Sequence, residues 1–271
     1  MSLLAWIILF TALGGVASAL AASVFLIAPA ALRARALPHL VSFATGALLG
    51  AALLGLLPDA IQSVGLAGAH RIGLTLLIGV LIFFVLEKLL LWRHCHSEVC
   101  EGHLPADGHA HTHDEHSHAK NRDAASASLV LIGDSFHNIL DGVLIAAAFL
   151  TDIHLGIVTS MAVVAHEIPQ EVGDFAVLLN GGMSRARALT LNVATSLTSV
   201  IGGVAAYYSL EGTRQVLPYA IALAASSFLY IAVADLIPGL HRRVDPGSGV
   251  KQILLISLGV LVIFVSHSMA H

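Results

Sequence analysis

Two short stretches carry side chains that could hold a metal ion. The first reads Gly133-Asp134-Ser135-Phe136-His137-Asn138-Ile139-Leu140-Asp141-Gly142. It sets His137 four residues before Asp141, and Asn138 three before it, so on a helix these groups share one face. The second reads His166-Glu167-Ile168-Pro169-Gln170-Glu171-Val172-Gly173-Asp174. There His166 pairs with Gln170, and Glu167 with Glu171, at the same four-residue interval. Imidazole, carboxylate and amide oxygen together suit Zn²⁺, Fe²⁺, Mn²⁺ or Cd²⁺, whereas Mg²⁺ and Ca²⁺ favour all-oxygen ligands. Pro169 lacks an N–H and frees the carbonyl of Ala165, which offers one more oxygen.

Three other chemistries fit the same residues. The polar groups could bond across helices as packing glue. Histidine and aspartate chains also relay protons. A helical His-Glu-x-x-His is the mark of zinc hydrolases, but here its fifth position is Gln170, which removes the second imidazole.

The elements that position these residues are membrane helices. Of the 271 residues 57% are hydrophobic and 11% charged, where soluble domains carry about 25% charged residues. Apolar stretches of spanning length recur. They predict an all-α integral membrane protein with eight helices at 3–27, 39–58, 70–92, 126–150, 155–179, 186–208, 216–237 and 250–268. Span 3–27 lacks the basic start of a signal peptide and its apolar run is too long for one, so it is read as a span. The two chemical stretches then lie at the centres of spans four and five, antiparallel neighbours joined by a short loop. Charges at that depth cost about 2.5–3.5 kcal/mol each, and a bound dication compensates them.

Lys and Arg set the orientation. Of the 13 basic side chains, all but Arg71 and Arg214 fall on one side if the loops alternate. The excess predicts that side to be cytoplasmic, with both termini outside. With no large outer domain, the expected location is a bacterial plasma (inner) membrane. No basic patch with interleaved aromatics is present, so a nucleic-acid partner is not expected.

Span two ends in Leu56-Leu57-Pro58-Asp59 and span seven in Leu236-Ile237-Pro238-Gly239. The two run in opposite directions, as in an inverted repeat. The chain then divides into 1–92 (spans one to three), 93–125 (a cytoplasmic loop), 126–180 (the central pair) and 181–271 (spans six to eight). The loop is rich in polar residues with no reason to pack, and disorder is expected. Much of the chain's unusual total of 16 histidines falls there. His94, Cys95, His96, Cys100, His103, His109, His111, His113, His116 and His118 read equally as a metal sink or sensor and as a solvated linker. Two cysteines make no disulfide framework.

His137-Asn138-x-x-Asp141-Gly142, followed by His166-Glu167-Ile168-Pro169-Gln170-Glu171-Val172-Gly173-Asp174-Phe175, resembles the ZIP (Zrt/Irt-like) family of metal transporters. The likeness extends over all eight spans and includes the histidine-rich loop. It implies a 3+2+3 helix plan, a homodimer, and zinc moved toward the cytoplasm as one helix group slides against another. It also implies a primary site of His137, Asp141, His166 and Gln170, with Asn138 and Glu167 extending it or forming a second. Glu171 belongs to the same candidate ligand set, and Asp134 and Asp174 are candidates for an exit path. The sequence departs from the family branch in three places. Gln170 stands where the branch has His, Ala51, Ala52 and Gly55 stand where span two often carries Asp and His, and span six offers only Asn192 toward a second site. An intramembrane zinc hydrolase and a non-transporting metal sensor are the competing functions.

Overall fold

The structure, a computed structural model, describes residues 1–94, 115–180, 182–213, 215–241 and 246–268. Among them it is all-helical, with no strand. We number the helical rods α1 (Leu3–Ile27), α2 (30–64), α3 (Ala69–His94), α4 (Glu115–Thr151), α5 (Ile153–Asn180), α6 (185–210), α7 (217–241) and α8 (Pro246–Ser268). Seven of these are long and apolar enough to cross a membrane. The exception is α5, which has the length at 28 residues but carries His166, Glu167, Gln170, Glu171 and Asp174.

Local chemistry sets the helix ends. The Ser2 hydroxyl caps α1 by accepting from the Ala5 N–H, and Ser184 does the same for α6 through Arg187. Gly182, at φ +83°, makes the turn before α6 in a conformation that favours glycine. A single residue, Asp152, joins α4 to α5, and its Oδ1 accepts from the N–H groups of His154 (2.8 Å) and Leu155 (3.1 Å).

The starts of two helices differ most from expectation. Helix α2 begins at Ala30 and runs through Pro38 instead of starting after it. One missing donor is tolerable in a long apolar helix that packs against others. Helix α4 begins at Glu115 and not at 126, so the expected loop 93–125 is shorter. Residues 115–127 contain no Gly or Pro and include four Ala with Glu115, Lys120 and Arg122, all good helix formers.

Helices α2 and α7 share an unusual detail. Each contains a six-residue π segment, Ala51–Leu56 and Ile231–Leu236, followed by Leu57-Pro58 and Ile237-Pro238. The Leu57 N–H bonds the Ala52 carbonyl and the Ile237 N–H bonds the Ala232 carbonyl, each five residues back. The wide turn makes room for a proline that cannot donate and would clash one turn earlier. The packing partners also correspond. Helix α2 packs on α8 and α7 on α3, while α1 packs on α5 and α6 on α4.

Small residues let certain helices touch backbone to backbone. A Cβ at Gly142 (α4) would lie 1.8 Å from the Ser199 carbonyl oxygen, and one at Gly202 (α6) 2.0 Å from that of Ile139. Across α2 and α8, a Cβ at Gly46 would meet the Ile256 carbonyl oxygen at 2.0 Å, and one at Gly259 that of Phe43 at 2.3 Å. With Gly15 of α1, whose added Cβ would meet the Ser196 carbonyl oxygen at 2.7 Å, these contacts tie α1, α4 and α6 into one group, and α2 to α8 in another. Helix α5 packs on α1 and so joins the first group, and Gly55 of α2 faces its Leu155 at an ordinary 3.6 Å. The core between the groups is apolar, with Leu48, Ala52, Leu144, Leu155, Val158 and Phe228 all buried. The outer faces of α3 and α8 expose Leu74, Leu77, Leu81, Ile253, Leu258 and Leu261, side chains suited to lipid.

Candidate metal centre

Helices α4 and α5 cross so that His137, Asp141, His166 and Glu167 converge. One ligand atom from each lies within 4.8 Å of all the others. The two imidazole Nε2 atoms are 3.2 Å apart. His166 Nε2 is 3.3 Å from Asp141 Oδ2 and 3.7 Å from Glu167 Oε1. His137 Nε2 is 3.7 Å and 3.4 Å from the same two oxygens. In a tetrahedral zinc site with bonds of about 2.0–2.1 Å, ligand atoms stand about 3.3 Å apart. The five distances approximate five of the six edges of such a tetrahedron.

Both Asp141 oxygens and both Glu167 oxygens are buried and find no hydrogen-bond partner among the described residues. Packing glue would give these acceptors donors, so this pattern speaks against it. Carboxylates in that state need a cation. His166 is prepared to supply its side of the bond. Its Nδ1 lies 3.1 Å from the Ala162 carbonyl oxygen. With the proton on Nδ1 and donated there, the Nε2 lone pair faces the cluster. The Phe228 ring meets the His166 imidazole edge-on, with centroids 6.1 Å apart, and limits its rotation. The side chains of Asp141, His166 and Glu167 are 1–2% exposed, whereas His137 is 23% exposed, so the centre opens past His137.

The other expected ligands are placed differently. Asn138 is buried beside the cluster, but its Nδ2 donates to Asp134 Oδ1 (2.8 Å) and to the Asp134 carbonyl (3.1 Å). Glu171 does not join the cluster. Its Oε2 accepts from Asn192 Nδ2 and its Oε1 from Ser196 Oγ, each at 2.6 Å. It was expected to share a face with Glu167, but α6 presents two donors on its other side. Gln170, one turn after His166, is half-buried. Asp134 is buried with Oδ2 unpartnered, and Asp174 is half-buried one turn beyond Gln170. Cys95, His96, Cys100, His103, His109, His111 and His113 lie outside the described residues, as do the side chains of His94, His116 and His118.

Ser196 escaped the sequence reading. Its signal was present, because Asn192 and Ser196 lie four apart on span six and so present two donors on one face.

Comparison with known proteins gives a consistent picture. The family model described as ZIP Zinc transporter matches residues 2–267. The chain is 31% identical over 238 residues to "Zinc transporter ZIP13" of Pongo abelii, covering 83% of this chain and 65% of that protein. It is 31% identical over 284 residues to "Zinc transporter zipt-7.1" of Caenorhabditis briggsae, covering 89% and 71%. It is 29% identical over 243 residues to "Zinc transporter YKE4" of Saccharomyces cerevisiae, covering 83% and 67%.

Proposed function

The chain belongs to the ZIP zinc transporter family, and from that premise we propose that it carries a divalent transition metal, zinc first, across a membrane toward the cytoplasm. The observation that carries the reading is the buried convergence of His137, Asp141, His166 and Glu167. Gln170 and Asn138 stand next to these four and are the groups that would extend the site. Fe²⁺, Mn²⁺ and Cd²⁺ fit the same donors and are the alternative cargoes.

Eight spans in a 3+2+3 plan belong to the proposal. The recurrence of the π segment and the exchanged packing partners support an inverted repeat, and α5 would be the eighth span, its polar side chains turned inward. The slide of one helix group against another draws support from the glycine contacts. These lock α1, α4 and α6 together and α2 to α8, while the side chains buried between the groups are apolar. Asp134 and Asp174 would receive the metal on the cytoplasmic side. Both termini outside, and a homodimer through exposed apolar helix faces, complete the reading. The relatives named above are eukaryotic, and lend no support to a bacterial inner membrane in particular.

The test is Zn²⁺ flux into proteoliposomes holding the purified protein. Saturable flux is the expected result. In Gln170→His, a second-row amide oxygen becomes an imidazole, and selectivity for Zn²⁺ over Mn²⁺ should rise by about tenfold. A protein that binds zinc yet moves none of the four metals would be a sensor and not a carrier. Peptide hydrolysis by the same preparation would instead favour the hydrolase.

A further inference from the structure

Glu171 is a fully buried carboxylate that the cargo site does not use. It lies two residues after Pro169, where the α5 ladder lacks a hydrogen bond. The helix is therefore weakest just where His166 and Glu167 must be held in register. Glu171 takes two 2.6 Å bonds from α6, one from Asn192 Nδ2 and one from Ser196 Oγ.

The α6 side of this link is itself a junction. The helix breaks at Leu197, between Arg185–Ser196 and Thr198–Leu210. Three hydroxyls within four residues of the break each reach a different neighbour. Ser196 donates to Glu171 on α5, Thr198 to the Ser135 carbonyl on α4 (2.9 Å), and Ser199 to the Thr11 carbonyl on α1 (3.2 Å). Thus α6 pins α1 and the two helices that bear the cluster, and Glu171 is the buried anchor on α5.

We infer that Glu171 is a positioning residue and not a metal ligand: through Asn192 and Ser196 it clamps the turn after Pro169 to α6 and so aims His166 and Glu167 at the metal. The inference rests on the metal-binding reading of the cluster. It predicts a polarity swap. Asn192→Asp alone sets a second carboxylate 2.6 Å from Glu171 and should weaken Zn²⁺ binding by about tenfold or more. Glu171→Gln alone should bind Zn²⁺ within about threefold of the unaltered protein, because the Asn192 amide can turn over and accept from the new Gln N–H. In the double variant the Gln donates to the Asp, and affinity should return.

The measurement is a zinc titration of the purified full-length protein and the three variants, with zinc-edge X-ray absorption and a thermal unfolding scan on each. Recovery in the double variant, with an unchanged coordination shell in Glu171→Gln, is the expected outcome. Loss of an oxygen neighbour in Glu171→Gln, or a loss of affinity as large as that of Asp141→Asn, would make Glu171 a ligand and overturn the inference. A lowered unfolding temperature with unchanged affinity in Asn192→Asp would make the clamp purely structural, and also overturns it. If the unaltered protein binds no zinc, the cargo site itself fails, and that is read from the first titration alone.

Discussion

Asp141→Asn should nearly abolish zinc binding at the buried cluster and, at the same time, make the metal-free protein harder to unfold. The two signs have one cause. Asp141 is 1% exposed, and neither of its oxygens accepts a hydrogen bond among the described residues. With metal bound, its charge is compensated. Removing one partner of a buried ionic contact costs about 3–5 kcal/mol, or several hundredfold in affinity. Without metal, the same carboxylate stands beside Glu167, and each presents unpartnered oxygens to the cluster. A neutral amide relieves that repulsion and should recover about 1–3 kcal/mol. Thermal scans with and without Zn²⁺ check both halves. The zinc-induced rise in unfolding temperature should vanish in the variant, while its metal-free value should lie above that of the unaltered protein. A variant still stabilised by zinc to the full extent would remove Asp141 from the site.

The second large effect lies in packing. A Cβ at Gly142 would sit 1.8 Å from the Ser199 carbonyl oxygen and 2.8 Å from the Gly203 nitrogen. These neighbours are backbone and cannot turn aside, so the α4–α6 pair would have to part. Gly202 makes the reciprocal contact, which closes off a compensating tilt. Overpacking in a tight core costs typically about 1–3 kcal/mol, and a backbone clash belongs at or above the top of that range. Gly142→Ala should therefore lose most of its monodisperse peak in size-exclusion chromatography, or unfold well below the unaltered protein. Gly133→Ala, on the same helix with nothing within 4 Å of the added carbon, is the control. It should be neutral or slightly stabilising, by up to about 1 kcal/mol from helix propensity. Equal behaviour of the two variants would show that α4 and α6 are not in backbone contact.

Much of this was legible in the residues, and the exceptions have physical reasons. All four clustered groups were among the candidates read from the sequence, but the four-residue interval paired His166 with Gln170 and Glu167 with Glu171, and the family likeness put Gln170 rather than Glu167 in the primary site. The same rule misplaced Glu171. It says which groups share a face but not what the neighbouring helix offers to it, and Asn192 and Ser196 belong to another span. The start of α2 was set at 39 because Pro38 reads as a breaker, yet a helix in an apolar surrounding has no better conformation to break into. The Leu-Leu-Pro and Leu-Ile-Pro matches were short, and gained weight only when both were seen to close a π segment. The break at Leu197 has no sequence mark. Around it the hydroxyls of Ser196, Thr198 and Ser199 meet carbonyls of their own helix three or four residues back as well as groups on other helices.

The composition of the metal centre also fixes how voltage acts on it. Ligation uses neutral imidazoles and ionised carboxylates. His137 and His166 then add no charge, and Asp141 and Glu167 add two negative ones, which a dication cancels. Loaded, the four-residue site is neutral, and moving it through the membrane field does almost no electrical work. Emptied, it differs by two charges, and each elementary charge crossing 100 mV is worth about 2.3 kcal/mol. For a carrier that delivers inward by sliding, as proposed, an inside-negative potential would pull the vacated site back outward, and the return stroke, not delivery, would be the step that voltage drives. Two protons taken up in place of the metal would cancel this pull, so the voltage sensitivity of steady-state flux reports whether the carrier returns bare or protonated.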